Sequence, residues 1–434
     1  LEDIEVKPEP LPTVVDGNLL KHSIQTDGIA YINMYFDITG VGEEDLPKLS
    51  LLSNLLGELD TAKHTAAELK TELMTKCGSI AFVVSPFSDY NSTKSGSIKF
   101  VVSFSALIRY VDDALSLVQE ILTSTKFDNT SQIVDIIKQS RQNKYQSIVM
   151  SGSVLAAKRS ATAFSYDAVV DELTNGYSFY QWLKEQENEP TVIGELEGLA
   201  GRIFGSNNVL IGVGADDANA FDGSIKAFSA SLGTSDILHE LQIKPWKKSN
   251  DAVLIPGDIS FSGMSVDFDG LYDGTTFLMT HIVSLDYLWN EVRVKGGAYG
   301  TGLKPVANGS LFAYSYRDPN AKASVETYQK IGDYVRDFAN SDRSLVGFII
   351  GAMSSASPLL TPRLITSGAD GNYIRGISEE SRLALRRQIV NTQKSDFLAL
   401  ADKLQNVFCS ASFCVIGSKK QVDLFKNLDN KLSL

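Results

Sequence analysis

TKCGSIAF (75–82) and VKGGAYGT (294–301) describe the same local event twice, about half a chain apart: a helix end, a glycine turn and the start of a strand. Gly78 closes the helix-like AAELKTELMTKCG (66–78), and Gly296 and Gly297 close TTFLMTHIVSLDYLWNEVRVKGG (275–297). Glycine is the usual residue just past a helix end, because it takes positive φ without a Cβ penalty. Outward from these turns the likeness continues. GSIKFVVSFS (96–105) matches GSLFAYSYRD (309–318), and VLIGVG (209–214) matches FCVIGS (413–418). In the first half, strand-like YINMYFDIT (31–39) precedes LPKLSLLSNLLGEL (46–59). Leu46, Leu49, Leu52, Leu55, Leu56 and Leu59 there recur at the three- and four-residue spacings of one helix face. In the second half, strand-like SFSGMSVDFD (260–269) precedes the helix that ends at the glycine pair. Amphipathic helices follow the strands in both, YVDDALSLVQEILTS (110–124) and VETYQKIGDYVRDFAN (325–340). The pattern predicts an α+β protein of two tandem homologous domains, each a mainly antiparallel sheet with helices packed on one face. The first domain spans 1–235, a linker 236–250 and the second domain 251–434. Accidental likeness between amphipathic segments is the competing account.

Charge narrows the function classes. Against 40 Lys+Arg stand 52 Asp+Glu, a formal net charge of −12, and no basic stripe of the kind that nucleic-acid binders present. Lys244, Lys247 and Lys248, around Pro245 and Trp246, form the one compact basic cluster and read as a solvated linker. No run of 18 apolar residues predicts a membrane span. Cys77, Cys409 and Cys414 are too few for a disulfide framework; they read as structural thiols and fit a reducing compartment. The sequons at Asn91, Asn129 and Asn308 are short matches without further support.

The histidines, His22, His64, His239 and His281, are too far apart for H-E-x-x-H or its inverse, so no complete metal site is expected in this chain. No nucleophile elbow or P-loop occurs, and IGVGADDANA (211–220) lacks the third glycine of a dinucleotide loop and reads as a strand-end turn. LWNEVRVKGGAYGTG (288–302) stands apart. Fully extended, the six residues from Arg293 to Tyr299 span roughly 20 Å. A sharp turn at Gly296 and Gly297 lets both side chains face one cleft. Arg supplies a permanent charge and a rigid donor fork, and a Tyr hydroxyl can donate to an oxyanion. On residue chemistry alone, a structural helix–turn–strand junction and a functional pair both remain open.

VRVKGGAYG resembles the arginine–tyrosine motif of the pitrilysin/insulinase metallopeptidases, and specifically the presequence-protease branch with its falcilysin-type enzymes. AKRSATAFSYDAVVDELTNGYSFYQWL (157–183), SYRDPNAKASVETY (315–328) and NYIRGISEESRLALRRQIVNTQKSDF (372–397) are similar to that branch as well, so the likeness runs from about residue 11 to 425. It implies a mitochondrial-processing-peptidase-like metallohydrolase fold and a four-domain enzyme that closes a chamber around short unstructured peptides. Zinc sits in the N-terminal half of such enzymes. In the equivalent helix here, Lys48, Leu51 and Leu52 stand where His, Glu and His would be, so the chain resembles the C-terminal, non-zinc-binding half, inactive alone and partnered by the zinc-bearing half. Leu1 would then follow the hairpin that joins the halves. The resemblance assigns Arg293 to substrate positioning, Tyr299 to oxyanion stabilisation, and Gly296 and Gly297 to shaping the turn at the substrate. It also implies that an acidic chamber wall attracts basic targeting peptides, and a compartment that is bacterial cytoplasm or an organelle matrix. The alternative is a non-catalytic scaffold or binding subunit that keeps the peptidase fold.

Overall fold

A computed structural model describes Val6, residues 13–237 and residues 239–434. The expectation for Leu1 falls outside these residues. The chain builds two six-stranded sheets. The first contains β1 (Thr13–Asp16), β2 (Leu19–Ser23), β3 (Ile29–Asp37), β4 (Ser79–Ser88), β5 (Gly96–Leu107) and β6 (Val209–Ala215), in the order β1-β2-β6-β3-β5-β4. The second contains β7 (Asp251–Leu254), β8 (Ser260–Asp267), β9 (Gly300–Pro305), β10 (Ser310–Tyr316), β11 (Phe413–Gly417) and β12 (Asn430–Ser433), in the order β12-β7-β11-β8-β10-β9. Apart from the outer strands β1 and β12, the two orders coincide element for element. Both sheets are antiparallel except beside β2 and β7, where β2–β6, β7–β11 and β7–β12 run parallel. The fold is thus α+β, with two tandem units of the same topology.

Alternation along the strands decides which face meets what. In β3, Ala30, Ile32, Met34 and Phe36 are fully buried against the unit's own helices, together with Leu46, Leu49, Leu52 and Leu55 of the helix Leu46–Leu55. The opposite face carries Asn33 and Tyr35. In the second unit, Met264 and Val266 of β8 and Phe413 and Val415 of β11 point to the unit's own helices, and Phe261, Cys414 and Ile416 point away.

Those away-facing surfaces are not left to solvent. Each is covered by a helix that belongs to the other unit, an exchange that hydrophobic patterning did not reveal. The helix Thr130–Ala161 leaves the first unit and lies on β8, β10 and β11. It breaks helical geometry at Ser151, and Gly152 next to the break faces Phe261, which a Cβ there would meet at 2.9 Å. On the strand side, a Cβ on Gly263 would collide with the backbone nitrogen of Ala157. In return, the helix Pro362–Arg375 of the second unit lies on the first sheet. A Cβ on Gly212 would collide with the Asp370 carboxylate, and one on Gly214 with Thr366 Oγ1. The IGVG glycines therefore sit inside β6, and the turn begins only at Asp216, whose carboxylate accepts from the Thr26 and Gly28 amides.

Both crossing helices carry a charge into the foreign sheet. Asp370, fully buried, accepts from Asn33 Nδ2 at 2.8 Å and from the Tyr35 hydroxyl at 3.0 Å, and lies 2.6 Å from His22 Nε2. Burial, with the Asp370 carboxylate next in size, raises the Tyr35 pKa, so its hydroxyl stays protonated and donates. Arg159 Nε donates to Asp251 in β7 at 2.7 Å and its guanidinium also pairs with Glu172. Such pairs hold a register because breaking one strands a buried charge.

Residues 232–237 and 239–250 are irregular, but the expected solvated linker is pinned down along part of its length. Ile237 and Ile243 are buried in the first core, Trp246 Nε1 donates to Glu43, and the Trp246 amide donates to Thr162 O at 2.8 Å. Leu238 lies outside the described residues. Cys77 and Cys414 are buried thiols as expected, whereas Cys409 is exposed; its sulfur accepts from Gln405 at 3.0 Å. No helix among the described residues is long and apolar enough to cross a membrane.

Gly263→Ala is expected to lower stability by about 1–3 kcal/mol, because the strand cannot yield without moving a helix backbone. Gly201→Ala, in a helix with open space at its Cβ, should be neutral or stabilising by up to about 1 kcal/mol. Urea unfolding of the two variants checks the contrast. A second expectation concerns His281, whose imidazole is held below the usual histidine range by burial and then by Lys304. The unfolded chain therefore takes up the proton first, and stability falls as pH drops from about 6.5 towards the folded value. Melting temperatures of His281→Gln measured across this window should fall less steeply than those of the parent.

Candidate functional site

The segment that sequence analysis singled out forms one corner of the second unit. The helix Gly274–Ile282 continues without interruption into Val283–Lys295, which is wound as a π-helix. Wide turns of this kind are uncommon and concentrate at functional sites. Val283, Leu288 and Val292 anchor it to the core. The Leu303 amide donates to Ser284 Oγ at 2.9 Å, which ties the helix to β9. Tyr287 stacks on Tyr334 with ring centroids 4.6 Å apart. Leu285, Trp289 and Val294 remain largely exposed.

The helix then closes through the glycine pair. The amides of Gly296 and Gly297 both reach Arg293 O, and the Ala298 amide reaches Val292 O at 3.1 Å. Gly297 has φ +83°, a conformation that a Cβ penalises, and a Cβ there would also meet Pro319 at 3.3 Å. Gly296 has ordinary helical φ, but a Cβ would stand 2.5 Å from Val292 O. The chain is thereby reversed within two residues; Ala298 is buried, and Tyr299 immediately precedes the edge strand β9.

The reversal brings Arg293 and Tyr299 together. The Arg293 guanidinium carbon lies 5.9 Å from the centre of the Tyr299 ring and 4.0 Å from that of the Trp289 ring. Tyr299 is 69% exposed, although its backbone is fixed by amide hydrogen bonds to Tyr316 O at 3.0 Å and Arg317 O at 3.3 Å. Its ring meets Tyr316 edge-on at 6.0 Å. The Arg317 guanidinium carbon lies 5.6 Å from the centre of the Tyr316 ring. Among the described residues neither Arg293 nor Arg317 makes an ion pair. Glu291, two residues before Arg293, is paired with Lys295 at 2.6 Å. Trp289, Tyr316 and Arg317 were not picked out from sequence. Trp289 could have been, standing four residues before Arg293; Tyr316 and Arg317 reach the site through strand pairing, which local spacing does not encode.

The remaining candidates lie apart. His22 is buried against Asp370, His64 pairs with Glu120, His239 with Asp37, and His281 packs beside Gly351. Among the described residues no group of three or more His, Cys, Asp or Glu side chains could hold a metal. The helix Leu46–Leu55 cannot serve as a zinc helix: Leu51 and Leu52 are fully buried in the core, and Lys48 is paired with Asp45 and Glu195.

With this geometry in view, comparison with known proteins is informative. Residues 1–185 match the family described as the associated domain of M16 peptidases, subfamily C, and residues 250–419 match the PreP C-terminal domain. Protein HypA of Clostridium perfringens is 27% identical over 99% of this chain and 46% of its own length. Presequence protease 1, chloroplastic/mitochondrial, of Arabidopsis thaliana is 24% identical over 98% of the chain and 41% of its own. The chain thus spans less than half the length of these relatives. Among solved structures, the peptidase M16 inactive domain from Pseudomonas fluorescens superposes with a TM-score of 0.68 at 13% identity, covering 94% of this chain and 98% of that one. The periplasmic protease PqqL from Escherichia coli superposes with a TM-score of 0.63 at 11% identity, covering 96% of this chain and 48% of that one. Matching both family descriptions in order across a duplicated fold, the chain belongs to the pitrilysin (M16) peptidase family, as the counterpart of the C-terminal half of the presequence proteases.

Proposed function

We propose that this chain is the substrate-positioning half of a zinc endopeptidase that degrades short unstructured peptides in a closed chamber. The carrying observation is the Arg293–Tyr299 pair, brought to 5.9 Å by the Gly296–Gly297 turn, with Arg293 half-buried, Tyr299 exposed and neither in an ion pair among the described residues. A scaffold subunit leaves that pair without a role. In this reading the Tyr299 hydroxyl donates to the scissile carbonyl oxygen as negative charge builds on it. Arg293, its side chain beside Trp289 and Tyr299, binds the substrate backbone or shares that charge. Gly296 and Gly297 fix the distance between them. Among the described residues no side-chain group suits zinc, and in this reading the metal and the activated water it supplies come from the other half.

The same reading divides the chain into 1–235, a connecting segment 236–250 and 251–434, a division supported by the first sheet ending at Ala215 and the second starting at Asp251. It assigns the protein to a bacterial cytoplasm or an organelle matrix, supported by three unpaired cysteines and by relatives named as chloroplastic or mitochondrial.

Two measurements test the proposal. With a zinc-bearing half supplied, Tyr299→Phe should lower turnover of an unstructured peptide by about 10²–10³, the usual loss for one oxyanion donor, with an unchanged melting temperature. Equal turnover removes Tyr299 from the mechanism. Trp289→Ala should lower turnover less, by roughly tenfold or under, since it frees the Arg293 side chain without removing it and a cation–π contact contributes about 0.5–2 kcal/mol. A Trp289→Ala effect as large as that of Arg293→Ala would show that the ring itself touches substrate.

A further inference from the structure

We propose that Arg317 is a second substrate contact, a specificity-determining guanidinium that binds a carboxylate of the bound peptide. The inference rests on the peptide-positioning role proposed above for Arg293 and Tyr299.

Arg317 lies at the far end of a continuous surface stack, Trp289, Arg293, Tyr299, Tyr316 and Arg317, whose successive separations are 4.0, 5.9, 6.0 and 5.6 Å. Two guanidinium groups therefore bracket two tyrosine rings at one exposed corner. In a chain with a formal charge of −12, Arg317 has no carboxylate partner among the described residues. The neighbouring acid, Asp318, is fully buried and turned inward, accepting from Ser324 Oγ at 2.6 Å and the Asn320 amide at 2.8 Å.

The backbone supplies an independent observation. Four non-glycine residues among those described have positive φ: Asp27, Asn91, Asp269 and Arg317, the last at +47°. Asp and Asn tolerate this region through their short polar side chains; arginine has no such compensation. The strained conformation is enforced from both sides. The peptide before Arg317 is held by the Tyr299 amide donating to Tyr316 O at 3.0 Å, and the peptide after it by the Asp318 amide donating to Ser260 O at 2.7 Å. Strain kept where glycine would relieve it implies that the side chain is wanted there. A planar fork, held over an aromatic ring and facing solvent, suits bidentate recognition of a carboxylate. An acidic side chain and a free peptide C-terminus offer the same group.

The test is fluorescence anisotropy with labelled, unstructured decapeptides and the full chain: one with a central Glu, one with Gln in its place, and a Gln peptide with a free rather than an amidated C-terminus. The parent should prefer a carboxylate-bearing peptide by about two- to fivefold, the range of an exposed ion pair, with the preference fading as salt is added. The arm that shows it identifies the source. Arg317→Gly should abolish the preference with a melting temperature equal to or above the parent's, because glycine accepts the backbone; Arg317→Lys should keep part of it. A preference that survives Arg317→Gly overturns this inference while leaving the Tyr299 reading intact, as does a uniform loss of affinity for all three peptides. Failure of every peptide to bind overturns both.

Discussion

The architecture depends on two helices approaching a foreign sheet more closely than any side chain allows. Gly263 admits the backbone at Ala157, and Gly212 and Gly214 admit Asp370 and Thr366. Interiors are close-packed, and contact at such short range leaves no room for a methyl group. Because each unit gives up one helix and receives one, neither sheet is covered on both faces without the other unit. The charges carried across, Asp370 to His22, Asn33 and Tyr35, and Arg159 to Asp251, then fix the register of an interface whose apolar packing alone would tolerate sliding.

The exchange places the Arg293–Tyr299 corner on a rigid base. Tyr316 shows the connection: its ring supports Tyr299 on one side and packs on Phe261 at 5.5 Å on the other, and its hydroxyl reaches Met150 O on the crossing helix of the first unit. The exposed residues of the site thus rest on the same contact that joins the two units. A solvent-facing tyrosine ordinarily samples several rotamers. Here the backbone of Tyr299 is held by two carbonyls and its ring meets Tyr316 edge-on. The oxyanion role proposed for Tyr299 calls for a donor held in place in this way.

Duplication of the fold did not duplicate the Arg293–Tyr299 corner. At the equivalent helix–strand junction of the first unit, Met74 stands at the place of Arg293 and Ile80 at that of Tyr299, with Cys77 and Gly78 matching the glycine pair. The helix before that junction, Ala66–Lys76, is ordinary α-helix with a capping box at Thr65 and Glu68, and no π-helix forms there. The order helix, turn, strand is shared, but the π-helix, the positive-φ glycine and the Arg and Tyr side chains belong to the second unit alone.

Much of this was legible from residues alone. Apolar spacing at Leu46–Leu59, alternation in β3 and β8, and the turn at Gly297 determine local structure, because helix and strand periods and positive-φ turns are properties of short segments; Gly78 and Gly296, expected to turn in the same way, do not take positive φ. The repeat indicated the two units, and the spacing of Arg293, Gly296, Gly297 and Tyr299 indicated the pair at the site. Tertiary structure decided the rest. That Gly212 and Gly214 serve the approach of a helix far along the chain, that a connecting segment around Trp246 packs on the first core, and that Tyr316 and Arg317 join Arg293 and Tyr299 all depend on contacts between segments distant in sequence. A glycine in a strand records that something comes close. What comes close is set by the path of the whole chain, and no local pattern carries that information.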